Sequence, residues 1–292
     1  MRLVPPKQTS RRTGLARAIS KLGYCSRSQA SQLIRAGRVR LNETVRRDPE
    51  IPVNLQHDRI AVNNERLEAR ERVYLMLNKS RGVVTTASDE KGRQTVYDAL
   101  RGATRSAQKH DSARHGLPPR DVNNVNDVME TDVTEHDSST ADLPWVSPVG
   151  RLDKASEGLL LLTNDSEWAA CVTAPVTHLE KTYHVQIGMV ADEAWTQSLM
   201  RGVRLDDGEV LRAKQARLIR SGHKNCWIEI ILDEGKNRQI RRMLAARGVG
   251  VLRLVRVAIG PLHLGKLAKS EYWRLTKEEK RSLDRAMQRR SD

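Results

Sequence analysis

The chain has 292 residues and a formal net charge of +15, from 51 Lys and Arg against 36 Asp and Glu. That length suits about two domains of ~150 residues, and no apolar run approaches the ~18 residues of a membrane helix, so no membrane association is expected. The charge excess repels itself in a compact fold and fits a polyanionic partner, nucleic acid above all, whose counterions are released on binding.

The sequence has no Phe, so Leu, Val, Ile and Ala must build the core. Cys25, Cys171 and Cys226 are odd in number and scattered. That argues against a disulfide framework or a zinc site and suits a reducing, cytoplasmic setting. The opening residues 1–12 form a basic tail without the apolar stretch of a secretory signal. Pro5 and Pro6 disfavour the amphipathic helix of an organellar address.

Leu15, Ile19 and Leu22 recur at helical spacing, and Gly23 stops that helix. Ser26 starts a second helix three residues before Gln29, the spacing of a capping box. Ala30, Leu33 and Ile34 form its apolar stripe and Gly37 ends it. Val39, Leu41 and Val45 then alternate with Arg38, Arg40, Arg46 and Arg47, which predicts a short β-ribbon with one basic face. Ile60 and Val62 predict a further strand. The run Ala18-Ile19-Ser20-Lys21-Leu22-Gly23-Tyr24-Cys25-Ser26-Arg27-Ser28-Gln29-Ala30, continued by Ile34-Arg35-Ala36-Gly37-Arg38-Val39, resembles an S4 domain, a small RNA-binding module. The resemblance implies that Arg27, Arg35, Arg38 and Arg40 grip structured RNA by shape and phosphates rather than by sequence. That family often has Asn-Gly at the ribbon turn. Here Asn42-Glu43 stands there, and because Glu fits a positive φ poorly a longer turn is expected.

A strand is predicted over residues 74–78, then a turn at 79–82 into another strand at Val83 and Val84, then a short helix over 95–100. Residues 102–143 differ in kind. They are rich in Asp, Asn, Ser, Thr and His, net acidic, and their sparse apolar residues show no period, which predicts a disordered insertion. Its histidines, His110, His115 and His136, are too widely spaced for a metal site, and no metal is expected. From Pro148 the chain reads as globular again. A buried strand is predicted at 159–162, a turn and helix start at 163–166, and a strand over 182–187 with Tyr183, Val185 and Ile187 on one face. A helix over 193–201, a strand over 226–232, a helix over 239–247 closed by Gly248, and a strand over 252–259 follow. This is a mixed α+β sheet pattern. Residues 277–292 read as a charged, frayed helix or tail.

Three segments can carry chemistry. In Gly150-Arg151-Leu152-Asp153-Lys154 a carboxylate lies between two cations just ahead of an apolar strand, as a site group or as a surface ion-pair or turn residue. Tyr183 opens a strand and can stack on a base or fill a core position. In Glu234-Gly235-Lys236-Asn237-Arg238-Gln239-Ile240-Arg241-Arg242-Met243-Leu244 a Gly turn feeds a helix with a cationic first turn. Ile240, Met243 and Leu244 face the core, which leaves Arg238, Arg241 and Arg242 for carboxylate, phosphate or solvent. It is not a P-loop, since Asn237 replaces Ser or Thr.

Behind an S4-like unit and in this order, the segments resemble the RsuA family of ribosomal RNA pseudouridine synthases. The other markers are Tyr74-Leu75-Met76-Leu77-Asn78-Lys79 with Arg81-Gly82-Val83-Val84, Glu157-Gly158-Leu159-Leu160-Leu161-Leu162-Thr163-Asn164-Asp165, Lys181-Thr182-Tyr183, and the run from Arg256 to Pro261. Ser80 for Pro, Ser156 for Thr, Ser166 for Gly and Leu244 for Phe depart from the family without removing a group the chemistry needs. The resemblance implies an α+β protein. A small S4 (αL-like) domain at 13–70 precedes a pseudouridine synthase domain at 71–276, a mixed, mainly antiparallel β-sheet with flanking helices. The insertion at about 102–143 interrupts it and the charged tail 277–292 follows.

The implied reaction is isomerisation of a flipped-out uridine in ribosomal RNA, with no cofactor. Arg93-Gln94-Thr95 and the arginine-rich run before Met243 lean toward the large subunit. By resemblance Asp153 is the essential carboxylate, acting either on the sugar carbon as a nucleophile or on a sugar proton to give a glycal. Arg241 pairs with it, and Tyr183 stacks on the uracil and assists a late proton transfer. Arg151, Lys181, Arg238 and Arg242 contact RNA. The implied partner is ribosomal RNA or a ribosome assembly intermediate, and a monomer is expected. Two readings compete: a non-catalytic RNA-binding assembly factor, and a hydrolytic glycosidase with Asp165 as the nearest second carboxylate.

Overall fold

The computed structural model describes residues 12–87, 89, 91–102 and 143–288. The expected insertion, apart from its two ends, and nearly all of the basic tail lie outside the described residues, as do His110, His115 and His136.

The first unit holds β1 (Thr13–Gly14), α1 (Leu15–Lys21), α2 (Arg27–Arg35), β2 (Val39–Leu41), β3 (Thr44–Arg46), β4 (Pro52–Val53), β5 (Ile60–Val62) and β6 (Glu65–Arg66). β1 pairs with β4, and the ribbon runs β3-β2-β5-β6. α2 starts on the expected capping box. The Ser26 hydroxyl accepts from the Gln29 N–H, and the Gln29 side chain accepts from the Ser26 N–H. Gly23 and Gly37, at φ +77° and +72°, end the two helices in the left-handed region that glycine enters without a Cβ penalty. Leu15, Ile19 and Ile34 pack on Val39, Leu41, Ile60 and Val62, so the ribbon's inner face closes a small core and Arg40 faces outward.

The longer ribbon turn is corrected. Leu41 pairs directly with Thr44, so Asn42 and Glu43 alone make the turn, at φ +50° and +67°. A two-residue hairpin needs both central residues at positive φ. Glu43 tolerates it because the hydrogen bonds of Asn42 set the turn: its Nδ2 donates to Asp58 and its Oδ1 accepts from the Arg59 N–H. Asn63 and Asn64 repeat the geometry between β5 and β6.

The second unit contains β7 (Tyr74–Lys79), α3 (Val96–Gly102), β8 (Ser147–Val149), β9 (Glu157–Thr163), α4 (Ser166–Thr173), β10 (Lys181–Ile187) and α5 (Glu193–Arg201). The hairpin β11 (Val203–Arg204) and β12 (Val210–Leu211) follows, then β13 (Gln215–Ser221), β14 (Cys226–Leu232), α6 (Gln239–Ala245), β15 (Val251–Ile259), β16 (Leu262–His263), β17 (Tyr272–Arg274) and α7 (Lys277–Gln288). Among the described residues the main sheet has nine strands in the order β13-β14-β10-β15-β9-β7-β17, with β16 on β15 and β8 on β9. Every pairing is antiparallel except β9 with β15.

That parallel contact joins two half-sheets through two residue pairs, Val255 with Glu157 and Arg256 with Gly158. On one side β10, β13, β14 and β15 bury Val185, Ile187, Ile228 and Ile230 against α5 and α6. On the other, β7 and β9 are apolar on both faces. Leu159, Leu161 and Met76 pack under α4 and α7, while Leu160, Leu162, Leu75 and Leu77 pack against α3.

Two element readings change. Val83 and Val84 form no strand: Val84 makes a single bridge to Thr95, and the chain turns at Gly82 instead of extending. The C-terminal segment is not frayed over its described part. α7 is a continuous helix whose Leu283 and Met287 are buried, and Asp284 accepts from the Trp168 indole at 2.8 Å. The i,i+4 pair of apolar residues anchors it beneath an otherwise charged surface. Strands β8, β13 and β17 were not foreseen.

Candidate active site

The loop from Gly150 to Ser156 leads into β9 and is held from behind. The Lys79 amine, fully buried at the end of β7, donates to the backbone oxygens of Asp153 at 3.1 Å, Ser156 at 2.8 Å and Ser80 at 3.1 Å. The Thr85 hydroxyl donates to the Leu152 oxygen, and the Gly82 N–H donates to the Lys154 oxygen. With its backbone fixed on that side, Asp153 presents its carboxylate, 37% exposed, to a cleft of about 510 Å³. Burial pushes the Lys79 amine down to about 8, against the opposite pull of Asp153 and Glu157.

Two guanidiniums reach the carboxylate from the start of α6. Arg238 Nε lies 3.9 Å from Asp153 Oδ2, and Arg241 Nε lies 4.0 Å from the same oxygen. These are charge contacts longer than hydrogen bonds. Arg241 Nη2 donates to the Ala155 oxygen at 3.1 Å, which ties α6 to the loop, while its Nε is buried without a hydrogen-bond partner. Burial pulls the Arg241 guanidinium below its usual range and Asp153 opposes that pull. Arg238 adopts φ +47° at the helix cap, a left-handed conformation rare outside glycine, and so turns the chain into α6 beside Asp153.

Tyr183 lies on β10 between Ile230 of β14 and Arg256 of β15 and lines the same cleft as Asp153, Arg238 and Arg241. Arg151 and Lys181 also line it. Arg242 does not: it turns to the β11–β12 hairpin and pairs with Glu209 at 2.6 Å and Asp207 at 3.2 Å. Asp165, the sequence candidate for a second carboxylate, caps α4 through the Trp168 N–H and accepts from the Tyr74 hydroxyl, away from the cleft. Among the described residues no three His, Cys, Asp or Glu side chains gather as a metal ion would require.

In the first unit, Arg27 pairs with Glu50 and Arg38 with the Asn63 amide oxygen, while Arg35 and Arg40 are exposed. Arg59 and Arg66, which sequence reading passed over, join Arg40 around a hollow on the ribbon's outer face. Sequence reading also assigned no role to Lys79, Ser156 or Arg256. The available signals were a lysine ending a buried strand, and an arginine at the inward-facing register of β15.

The fold and this cleft define a class. Residues 73–246 match the family model described as RNA pseudouridylate synthase, and residues 13–60 match the S4 domain. The chain therefore belongs to the RNA pseudouridylate synthase family and is an RNA pseudouridine synthase carrying an S4 domain, the family its motifs resemble. It is 32% identical over 271 residues to "Ribosomal large subunit pseudouridine synthase B" of Bacillus subtilis, covering 92% of this chain and 94% of that protein. It is 30% identical to an uncharacterised RNA pseudouridine synthase of Aquifex aeolicus, covering 92% of each. A solved structure described as a pseudouridylate synthase superposes with a TM-score of 0.54 at 27% identity, covering 93% of this chain and 99% of that one. No helix among the described residues is long and apolar enough to cross a membrane.

Proposed function

We propose that this protein converts a specific uridine of ribosomal RNA, in the large subunit, to pseudouridine, with Asp153 as the reacting carboxylate. The observation that carries this is the Asp153 carboxylate, approached on one oxygen by two guanidiniums, in a cleft shared with an aromatic phenol. The near full-length similarity to a large-subunit enzyme supports the substrate.

The reaction breaks the bond between the sugar C1′ and uracil N1, forms one from C1′ to C5, moves the C5 proton away and leaves N1 protonated. Nothing is oxidised. A base inside a duplex is out of reach of a side chain in a cleft, so the uridine flips out, at a cost of a few kcal/mol. Asp153 then attacks C1′ or takes the C2′ proton; either route begins with an anionic oxygen near the sugar. Arg241 and Arg238 aim that oxygen, and Tyr183 stacks on the uracil and offers its phenol for the late proton transfer. Arg151 and Lys181 meet the RNA in the cleft, and the arginines of the S4 ribbon grip its shape from outside. The free cysteines suit a reducing cytoplasm.

The test is tritium release from large-subunit RNA labelled at uracil C5. Wild type is expected to release tritium, and Asp153→Asn to release none while binding RNA within a few-fold. Tight binding without release by wild type would favour an assembly factor, and free uracil would favour a hydrolase. Full turnover by Asp153→Asn would remove the carboxylate from the mechanism.

A further inference from the structure

The cleft contains positive charge that the chemistry at Asp153 leaves unused. Arg256 lies on β15 in register with Tyr183 and lines the cleft, yet it is only 5% exposed. Its Nε donates to the Leu159 oxygen at 2.7 Å, which anchors one edge of the guanidinium, and its buried Nη2 has no hydrogen-bond partner. Among the described residues no carboxylate forms an ion pair with it.

Lys181 stands two positions before Tyr183 on β10, hence on the same face of the strand, and lines the same cleft. It too forms no ion pair among the described residues. Burial pushes its amine down and the charge of Arg256 pushes further, with only Asp233 pulling the other way. Two cations thus share a half-enclosed wall, repel one another, and lack a counter-ion in contact. A buried charge without a partner is destabilising, which fits a partner that arrives from outside.

We propose that Arg256 and Lys181 form a subsite for a backbone phosphate of the RNA next to the flipped uridine. The inference rests on the reading that this cleft receives the target nucleotide. A phosphodiester matches the site chemically. It has one negative charge and two non-bridging oxygens, against one guanidinium edge and one ammonium, whereas a uracil carbonyl is neutral and needs a single donor. The position also fits, because Arg256 and Tyr183 are cross-strand partners: the phosphate would be clamped beside the ring that stacks on the base. A nucleotide leaving its helix brings its flanking phosphates with it, and a built clamp there would hold it out without reading its sequence.

The experiment uses an unmodified RNA fragment that the wild-type protein converts, resynthesised with one methylphosphonate, which removes one phosphate charge, at the linkage 5′ or 3′ of the target. In wild type, one of the two linkages is expected to lower kcat/KM by tenfold or more. Arg256→Gln is expected to lose a similar factor on ordinary RNA and less than twofold more on that methylphosphonate RNA, since the contact is already gone. Lys181→Gln, at the more open edge, gives the same reading should Arg256→Gln fail to fold, and Arg256→Lys should recover part of the sensitivity. Equal slowing of wild type and both neutral variants by each methylphosphonate would overturn the subsite. Failure of wild type to convert any RNA would instead refute the underlying assignment of function.

Discussion

Gly158→Ala tests how the site is held together. Gly158 sits at φ +101°, and a Cβ there would lie 2.2 Å from the Arg256 backbone oxygen and 2.8 Å from its nitrogen. The first feature costs roughly 1–2 kcal/mol for an L side chain. The second cannot be relieved by rotating a side chain, because the obstructing atoms are main chain. Overpacking of this kind costs about 1–3 kcal/mol, which makes about 2–5 kcal/mol in all. The strain falls on the two residue pairs that join β9 to β15. Asp153 precedes β9, whereas Tyr183 lies on the other half-sheet and Arg241 on α6, which packs against it, so a shift at this joint alters the 4.0 Å approach of Arg241 to Asp153. Since misplacement by ~1 Å can cost ~100-fold in rate, kcat is expected to fall by one to two orders of magnitude. A urea titration followed by circular dichroism, paired with single-turnover kinetics, reads both effects. Wild-type stability and kcat in Gly158→Ala would refute the claim that this contact sets the geometry.

Three further outcomes are expected. Lys79 has a folded value of about 8 against an ordinary 10.5, so folding expels a proton between those values. The cost of burying its charge is full below about pH 8 and is relieved as pH rises to 10.5, so stability relative to Lys79→Met should rise across that window by up to about 3 kcal/mol; a flat difference in paired urea titrations would contradict this. Burial raises the Glu157 carboxyl, but Arg253 and Lys269, at 2.9 and 3.1 Å, outweigh it and hold it below 4.5. Its stabilisation should be complete above pH 4.5 and vanish as pH falls through the folded value; because Glu157→Gln loses charged hydrogen bonds to partly exposed partners, it should cost about 1–3 kcal/mol near pH 7, and a cost unchanged at pH 3 would speak against it. Glu43→Gly, which relieves a left-handed Glu, should stabilise by about 0.5–1 kcal/mol after glycine's entropic cost, and a lower thermal midpoint would count against the turn geometry.

Much of the fold was legible because local chemistry announces it. Ser26 with Gln29 marks a helix start, and Gly23, Gly37 and Gly248 mark stops at positive φ. The helix at 193–201 and the strand at 226–232 have the expected limits, since a capped amphipathic run and a period-two run need no distant partner to define them. What escaped depends on residues far away in sequence. β17 is a three-residue strand that exists because β7 lies beside it, and the largely exposed β13 shows little alternation. α7 is charged on most faces, and only Trp168 and its neighbours reveal why Leu283 and Met287 matter. At the site, the cationic helix start was visible, but the diversion of Arg242 to Asp207 and Glu209 depends on a hairpin more than thirty residues upstream. The buried ammonium of Lys79 under Asp153 likewise follows from sheet order alone.

The parallel contact between β9 and β15 also has a consequence for biosynthesis. Glu157 must find Val255 across roughly a hundred residues of intervening chain, and loop closure on that scale is an entropic barrier that slows folding. The first unit closes over shorter spans, the longest being Thr13 to Val53, and can form while the rest is still being translated. A nascent chain could therefore hold RNA well before it could react with it, and the carboxylate would meet its arginine only after the last long strand had emerged.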